Sequence, residues 1–449
     1  MSIATFNPVE FWRKLGRSSV FQRVLGLFKW AVAGSVVSRI TSIASMVLIA
    51  RLLGPEEFGK LAFLVATVGV AGILAGMGLG LTATRFVAQH IQTDKAATGR
   101  VISLVSHFNI VMVVISAGLI ASLSGIISET VMKTTDLSTG LIVGVVLMAS
   151  NSFRGVQAGV LAGFERFDVI AKLSIIEGAV TLISLFPLAY LYGIHGCLIG
   201  LSLGPFIAWL VGLRQLKSLC DNHSVRFMNF DGWQEWRLLF SFSLPTVIAH
   251  SLAGPVLWAC MAAIANQPNG YQELGLYNAA YQWHGPLVFL PMVLMSSAIP
   301  ILVKEWEDRH RKKFLRIAGA ILCVALVATI LPGGLIALFS RQVMSLYGAD
   351  YAEGSTLLLY LLAAVPLHAI SKIAGNVLLA MNRPWLVLIP NLFWGASLII
   401  FTLSYIESSG VYALARGFLL AYGLQCALLG FLVFLSVVLD TKKLDRLKI

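Results

Sequence analysis

The sequence predicts an all-α integral membrane protein with twelve transmembrane helices in two parallel six-helix bundles around a central cavity. Three observations predict it. Hydrophobic runs of roughly twenty residues, enough to cross a hydrocarbon layer about 30 Å thick, recur along a chain of 449 residues that is 58% hydrophobic and 12% charged, with mean hydropathy +0.84. The basic residues gather in alternate connections, and segments of the first half return about 217 residues later.

The elements follow in chain order. Residues 1–29 end in PVEFWRKLGRSSVFQRVLGLFK, which interleaves bulky apolar and basic positions as a helix lying on an anionic cytoplasmic leaflet does. No apolar core precedes Lys29, so the segment does not read as a signal peptide. Spans are expected near 30–52, 58–83, 101–124, 138–161, 168–191 and 195–216, forming a first lobe over 30–216. A basic cytoplasmic linker at 217–237 leads to spans near 238–265, 273–300, 314–339, 354–380, 384–406 and 410–438. These form a second lobe over 238–439, and a basic cytoplasmic tail covers 440–449. No connection is long enough for a soluble domain.

Of the 33 lysines and arginines, 26 fall in the connections on one side; the other side has only Arg51, Lys60, Lys133 and Arg341, and Arg39, Lys372 and Arg416 lie within spans. The positive-inside rule therefore puts both termini in the cytoplasm. The net charge of +12 is explained by these loops, which are too short to build a nucleic-acid-reading surface. Cys197, Cys220, Cys260, Cys323 and Cys426 are scattered without CxxC or metal-type spacing and read as small core residues. No metal site, phosphate-binding glycine fingerprint or cofactor is expected.

The duplication is specific. Glu57-Phe58-Gly59 returns as Glu273-Leu274-Gly275, Val160-Leu161-Ala162 as Val377-Leu378-Leu379-Ala380 with a one-residue slip, and Tyr192-Gly193 as Ser409-Gly410; Gly200 matches Gly417, and Arg154 falls on Lys372. Six spans per repeat is an even number, so both repeats enter the membrane from the same side. Repeats of that kind are related by an axis along the membrane normal and place the substrate path between the halves near the midplane.

Polar residues inside spans are candidates for that path. Arg39 lies on a serine stripe with Ser35, Ser38, Ser42 and Ser45, at a depth where a guanidinium faces either a hydrated cavity or a polar partner on a neighbouring helix. Arg154 in span four and Lys372 in span ten occupy corresponding places. Arg85 closes span two at the cytoplasmic mouth, where the inside-positive bias alone accounts for it, and Arg416 lies near enough to the outer headgroups to snorkel. Glu177 is the one deep carboxylate; it either carries a proton or coupling cation or neutralises an arginine. His250, His284 and His368 lie near midplane, suited to proton-linked transport or to hydrogen bonding between helices. Tyr277, Tyr281 and His284 share a helix face, a surface for stacking on sugar rings or for packing. Several cations against almost no carboxylates ask for an anionic substrate such as a phosphate or pyrophosphate.

With those residues in place, the chain resembles the multidrug/oligosaccharidyl-lipid/polysaccharide (MOP) exporter superfamily, and within it the Wzx-type polysaccharide or O-antigen repeat-unit flippases. The likeness is carried by ARLLGPEEFGKLA at 50–62, GLGLTATRFVAQH at 78–90, VLAGFERF at 160–167 and YGIHG at 192–196, and covers essentially the whole chain. It implies a cell inner membrane protein that moves an undecaprenyl-diphosphate-linked oligosaccharide to the periplasmic leaflet by alternating access, for O-antigen or exopolysaccharide synthesis. The polymerase and other surface-polysaccharide assembly proteins are the partners it implies, besides the bilayer. By resemblance Arg39 is the candidate for the diphosphate, with Arg85, Arg154, Lys372 and Arg416 extending the lining. The second half departs from the pattern: His250 stands where span one has Arg39, and Ile301 roughly where span two has Arg85.

Three other readings are weaker. A drug or metabolite antiporter of the same superfamily wants a carboxylate in span one or seven, and neither has one. A membrane glycosyltransferase or polymerase needs surface carboxylates and a sizeable external loop, whereas the longest outer connections, near 125–137 and 340–353, are short. A scaffold leaves deep charges in both halves unexplained. The chain is therefore not expected to be an enzyme.

Overall fold

The computed structural model describes residues 19–226 and 251–446, together with 233, 235–237, 239, 243 and 247 between them. Among these the regular structure is helical throughout, as lipid demands of a backbone that must satisfy its own N–H and C=O groups. The helices are α1 (Ser19–Gly76), α2 (Leu79–His90), α3 (Lys95–Ile126), α4 (Leu137–Gly163), α5 (Phe167–Asn222), α6 (Ala253–Ala265), α7 (Gly270–Tyr281), α8 (His284–Glu307), α9 (Arg311–Leu338), α10 (Ser340–Ser345), α11 (Ser355–Ala380), α12 (Trp385–Ser409) and α13 (Val411–Arg446). A π turn at Ile127–Val131 and a 3-10 turn at Ala349–Gly354 cap the bundle at one end.

Eight stretches of the described residues are long and apolar enough to cross a membrane, or nine with the bent pair Gly270–Met295 and Ala298–Glu307. Two of the eight, Val36–His90 and Phe167–Asn222, run 55 and 56 residues. At about 1.5 Å per residue each is roughly 80 Å long, too long for one crossing of a layer about 30 Å thick. Both contain a break. α1 breaks at Gly54 (φ 74°, ψ 172°), just before Pro55, and α5 breaks at Gly193 (φ 55°, ψ −133°). Gly410, the duplicate of Gly193, sits between α12 and α13 with φ 52° and ψ −135°, so the repeat seen in the sequence is repeated in the backbone.

Several boundaries differ from expectation. The second span, read as continuous over 58–83, is interrupted at Met77 and Gly78, both of positive φ, and restarts as α2. The glycine-rich GMGLG at 76–80 gives the chain that freedom. The span read at 273–300 is divided at Gln282–Trp283 between α7 and α8. α5 runs on to Asn222, past the boundary read at 216, and α13 runs to Arg446, into the basic tail. Of the seventh span only α6 and isolated positions are described. Asp94 starts α3 by accepting the Ala97 N–H at 2.8 Å; that donation holds its carboxyl below the ordinary range.

The buried side chains form three clusters whose arrangement matters for function. One is shared by both halves of the chain: it joins Phe58, Phe63 and Leu64 of α1 to Tyr277 of α7, Tyr351 and Leu358. The second, with Leu79, Val101, Val160 and Leu216, draws on the first half and Leu239; the third, with Leu302, Phe314, Val377 and Leu429, belongs wholly to the second half. The halves are thus fused at one end of the bundle and have separate cores at the other, where the basic loops emerge. Hydrogen bonds reinforce the fused end: Tyr351 Oη donates to the Ala50 carbonyl (3.2 Å), Tyr271 Oη to the Met132 carbonyl (2.6 Å), and Trp258 Nε1 to Thr67 Oγ1 (2.9 Å).

Candidate functional site

Arg39 lies in α1 and reaches across to the second half. Its guanidinium carbon sits 4.4 Å from the centre of the Phe289 ring on α8, and Nη1 lies 3.6 Å from the point where a Cβ on Gly285 would stand. Gly285 has no side chain to keep the arginine away from α8, and a ring face is a favourable seat for a cation in a poorly hydrated place. Its buried Nε has no hydrogen-bond partner, and none of the ion pairs among the described residues includes Arg39. This cation is held at the seam between the halves by a ring rather than by a carboxylate.

Beside that seam the structure assembles four of the expected residues into one stack. The Tyr277 and Tyr281 rings lie 5.5 Å apart, Tyr281 and His284 5.3 Å, His284 and His368 5.0 Å, and His368 and Tyr422 4.6 Å, with interplanar angles of 12° to 20°. The shared face of α7, continued into α8, supplies the first three rings; α11 and α13 supply the last two. His284 and Tyr277 are 4% and 3% exposed, so both rings face protein. Lys372 is one turn beyond His368 on α11, its charge acts on that ring, and its own side chain is exposed. No carboxylate pairs with Lys372 among the described residues.

Arg154 belongs elsewhere. Its Nε lies 3.4 Å from Glu177 Oε2, linking α4 to α5, while its Nε and Nη1 find no hydrogen bond. Of the two roles open to Glu177, the geometry supplies the arginine partner. Arg85 is exposed near the end of α2, with its guanidinium 5.5 Å from the Phe86 ring. Arg416 is exposed at the opposite end, 5.5 Å from the Tyr360 ring, and lines a surface pocket of about 510 Å³ with Glu273, Glu407 and Tyr412. His250 lies outside the described residues.

A second cavity of about 510 Å³ opens between α1, α2, α4 and Ser251. Glycines at 69, 72, 76, 78, 80 and 155 form much of its wall, with Asn151, Ser152 and Ser251 as polar groups; none of the expected cations lines it. Asn109 steadies this wall by donating to Ser152 Oγ (2.7 Å) and to the Ala75 carbonyl (2.9 Å). Sequence reasoning missed Phe289, Tyr422, Asn109 and the glycine wall. The first two carry no polar mark within their helices, whereas the run of glycines from 69 to 80 was a visible signal. No group of three or more metal-ligating residues occurs among the described residues.

Residues 28–306, more than half of the chain, match the family described as polysaccharide biosynthesis protein. The EPS I polysaccharide export inner membrane protein EpsE of Ralstonia nicotianae is 29% identical over 161 residues, 34% of this chain and 35% of that protein, so the match spans about a third of the relative's length. A candidate O-antigen transporter of Shigella flexneri is 22% identical over 316 residues, 68% of this chain and 74% of that one. Among solved structures, an inward-facing multidrug resistance MATE family transporter of the MOP superfamily superposes with a TM-score of 0.78 at 14% identity, covering 92% of this chain and 99% of that one. The lipid II flippase MurJ in its inward closed conformation gives 0.74 at 16% identity, covering 91% and 89%. At such identities the likeness to the two structures is one of fold. The extent of the family match settles membership: the chain belongs to the polysaccharide biosynthesis protein family, as its resemblance to Wzx-type members of the MOP superfamily led us to expect.

Proposed function

We propose that this protein is a flippase that carries undecaprenyl-diphosphate-linked oligosaccharide repeat units from the cytoplasmic to the periplasmic leaflet of the inner membrane, for O-antigen or exopolysaccharide synthesis. In this reading twelve helices form two six-helix lobes, over 30–216 and 238–439, with both termini cytoplasmic, and the lobes alternate between inward- and outward-open arrangements. The observation that carries it is Arg39, a cation with no ion-pair partner among the described residues, at the seam of two halves whose cores join at one end and separate at the other. Export and O-antigen transport in the matched relatives support the substrate class.

The chemistry is that of moving a polar head through hydrocarbon. A diphosphate and several sugars cannot cross unaided, whereas a prenyl tail is at home in lipid. Arg39 offers a planar fork of donors for phosphate oxygens, in a place where a low dielectric strengthens the attraction. Lys372 adds a second charge. The glycine-walled cavity, with Asn151 and Ser251 but no charge, suits neutral sugars that need room and hydrogen bonds. A cationic drug, by contrast, would meet Arg39 and Lys372, neither of which has a carboxylate partner among the described residues.

Charge reversal tests the reading. Arg39→Glu should abolish delivery of lipid-linked repeat units in a flippase-deficient strain while the protein still reaches the membrane. Delivery at the normal rate would overturn the diphosphate role.

A further inference from the structure

We propose that His284 and His368 form a single proton site in the second half, and that the proton and the anionic lipid head bind together rather than in exchange. The proposal rests on the flippase reading above.

The two imidazoles lie 5.0 Å apart at 20°, sandwiched between Tyr281 and Tyr422, and His284 is 4% exposed. Nε2 of His284 and Nδ1 of His368 are both buried without a hydrogen-bond partner, as is the Tyr277 hydroxyl. Buried polar nitrogens are rarely left so, and a pair of them on adjacent rings calls for a partner. The occupant that fits is a proton. Parallel rings at this spacing cannot both turn a nitrogen toward one metal ion, whereas the faces of Tyr281 and Tyr422 can stabilise an imidazolium between them. Two imidazoliums this close would repel each other in a dry interior, so the pair takes one proton.

Every element packed around the pair says which sign the coupling has. α7 contributes the phenols of Tyr277 and Tyr281, α12 the Trp394 indole, and α13 the Tyr422 phenol and Cys426. α11 contributes Lys372, whose charge acts on His368, and α1 brings Arg39 against Gly285, the residue after His284. α9, packed on α8 and α11, has no charged residue between Arg316 and Leu338. Among the described residues no carboxylate acts on either ring. Among the described residues the one cation that acts on the pair is therefore Lys372, and it opposes a further positive charge there. A phosphate at Lys372 removes that penalty, and by reciprocity the proton strengthens the hold on the phosphate. The proton also reduces the net charge that must pass the midplane.

Farnesyl diphosphate is the probe, bound to the full-length protein in detergent. Calorimetry in buffers of different protonation enthalpy should show that the wild type takes up more protons on binding than His368→Gln or His284→Phe does. Wild-type affinity should rise about tenfold from pH 8 to pH 6, and that rise should be at least halved in the variants. Equal proton uptake in wild type and both variants overturns the proposal and leaves the flippase reading standing. Absence of farnesyl diphosphate binding at any pH overturns both. Because either variant can fail to fold, histidine side-chain NMR of the wild type gives an independent reading: imidazole titration that does not move on adding the probe also overturns the proposal.

Discussion

Gly59 and Gly275, duplicates of each other in the two halves, meet at the fused end of the bundle, and neither tolerates a side chain. A Cβ on Gly59 would stand 1.8 Å from the Tyr271 carbonyl oxygen, and one on Gly275 1.9 Å from the Pro55 carbonyl oxygen. The obstacle in each case is backbone, which cannot turn aside. In the proposed cycle an outward-open arrangement would part this contact, so a methyl group placed here should favour the parted state. Overpacking of this kind costs about 1–3 kcal/mol, enough to shift a two-state balance about fivefold to more than a hundredfold. With spin labels at Glu129→Cys and Glu353→Cys, both exposed, Gly59→Ala and Gly275→Ala should lengthen the measured distance and slow transport. An unchanged distance distribution would mean that the contact does not gate.

The Arg154–Glu177 pair makes an asymmetric prediction. The Arg154 side chain is 8% exposed and that of Glu177 31%, so removing the carboxylate strands a buried cation, whereas removing the cation leaves a carboxylate that is only partly buried. Breaking a buried pair from the side that strands a charge costs about 3–5 kcal/mol. Glu177→Gln should therefore lower thermal stability in detergent more than Arg154→Met does, and the double variant Arg154→Met/Glu177→Leu should recover most of the loss. If Glu177→Gln is harmless to stability yet flattens the pH dependence of transport, the carboxylate is a proton carrier and its salt bridge is incidental.

How much of this was legible in the sequence depends on how local the signal was. Helical class, the duplication and the Gly193/Gly410 breaks come from hydropathy and spacing, which a chain carries on its face. The Tyr277–Tyr281–His284 face was legible too, because i, i+4 and i+7 positions stack wherever the helix goes. Its continuation through His368 to Tyr422 was not, since those residues are 84 and 138 positions from His284 and join it only through the packing of α11 and α13 on α8. The serine stripe marked Arg39 as unusual but could not say that Phe289 would receive it. The expectation of one cationic cavity grouped these charges together; the fold puts Arg154 on Glu177, Arg416 at the far end, Arg39 at the seam and Lys372 one turn from His368.

Lys372 and Arg39 should differ in how they tolerate replacement. Lys372 is a point charge with an exposed side chain, one turn from His368, so Lys372→Arg should retain transport, and Lys372→Gln should weaken farnesyl diphosphate binding about tenfold, the loss of one charge-assisted hydrogen bond of about 1.5 kcal/mol. Arg39 is a planar group with a fork of donors, and Arg39→Lys keeps the charge but loses the fork. Binding measured by calorimetry should fall with Arg39→Lys nearly as far as with Arg39→Gln. Full binding by Arg39→Lys would show that charge alone matters there.

The contact between Arg39 and Phe289 also sets up a competition. In the present arrangement the ring holds the guanidinium at 4.4 Å, and a phosphate must draw at least part of it away. A cation on an aromatic face is worth about 0.5–2 kcal/mol, depending on how dry the site is. Replacing the ring with an aliphatic side chain of similar bulk removes that hold without opening a large void. Phe289→Leu should thus bind farnesyl diphosphate about twofold to thirtyfold more tightly than the wild type, opposite in sign to Arg39→Gln, and should turn over more slowly because the head leaves less readily. If Phe289→Leu instead weakens binding, the ring and the arginine act together as parts of one receptor for the head, and Arg39 is already in its receiving position.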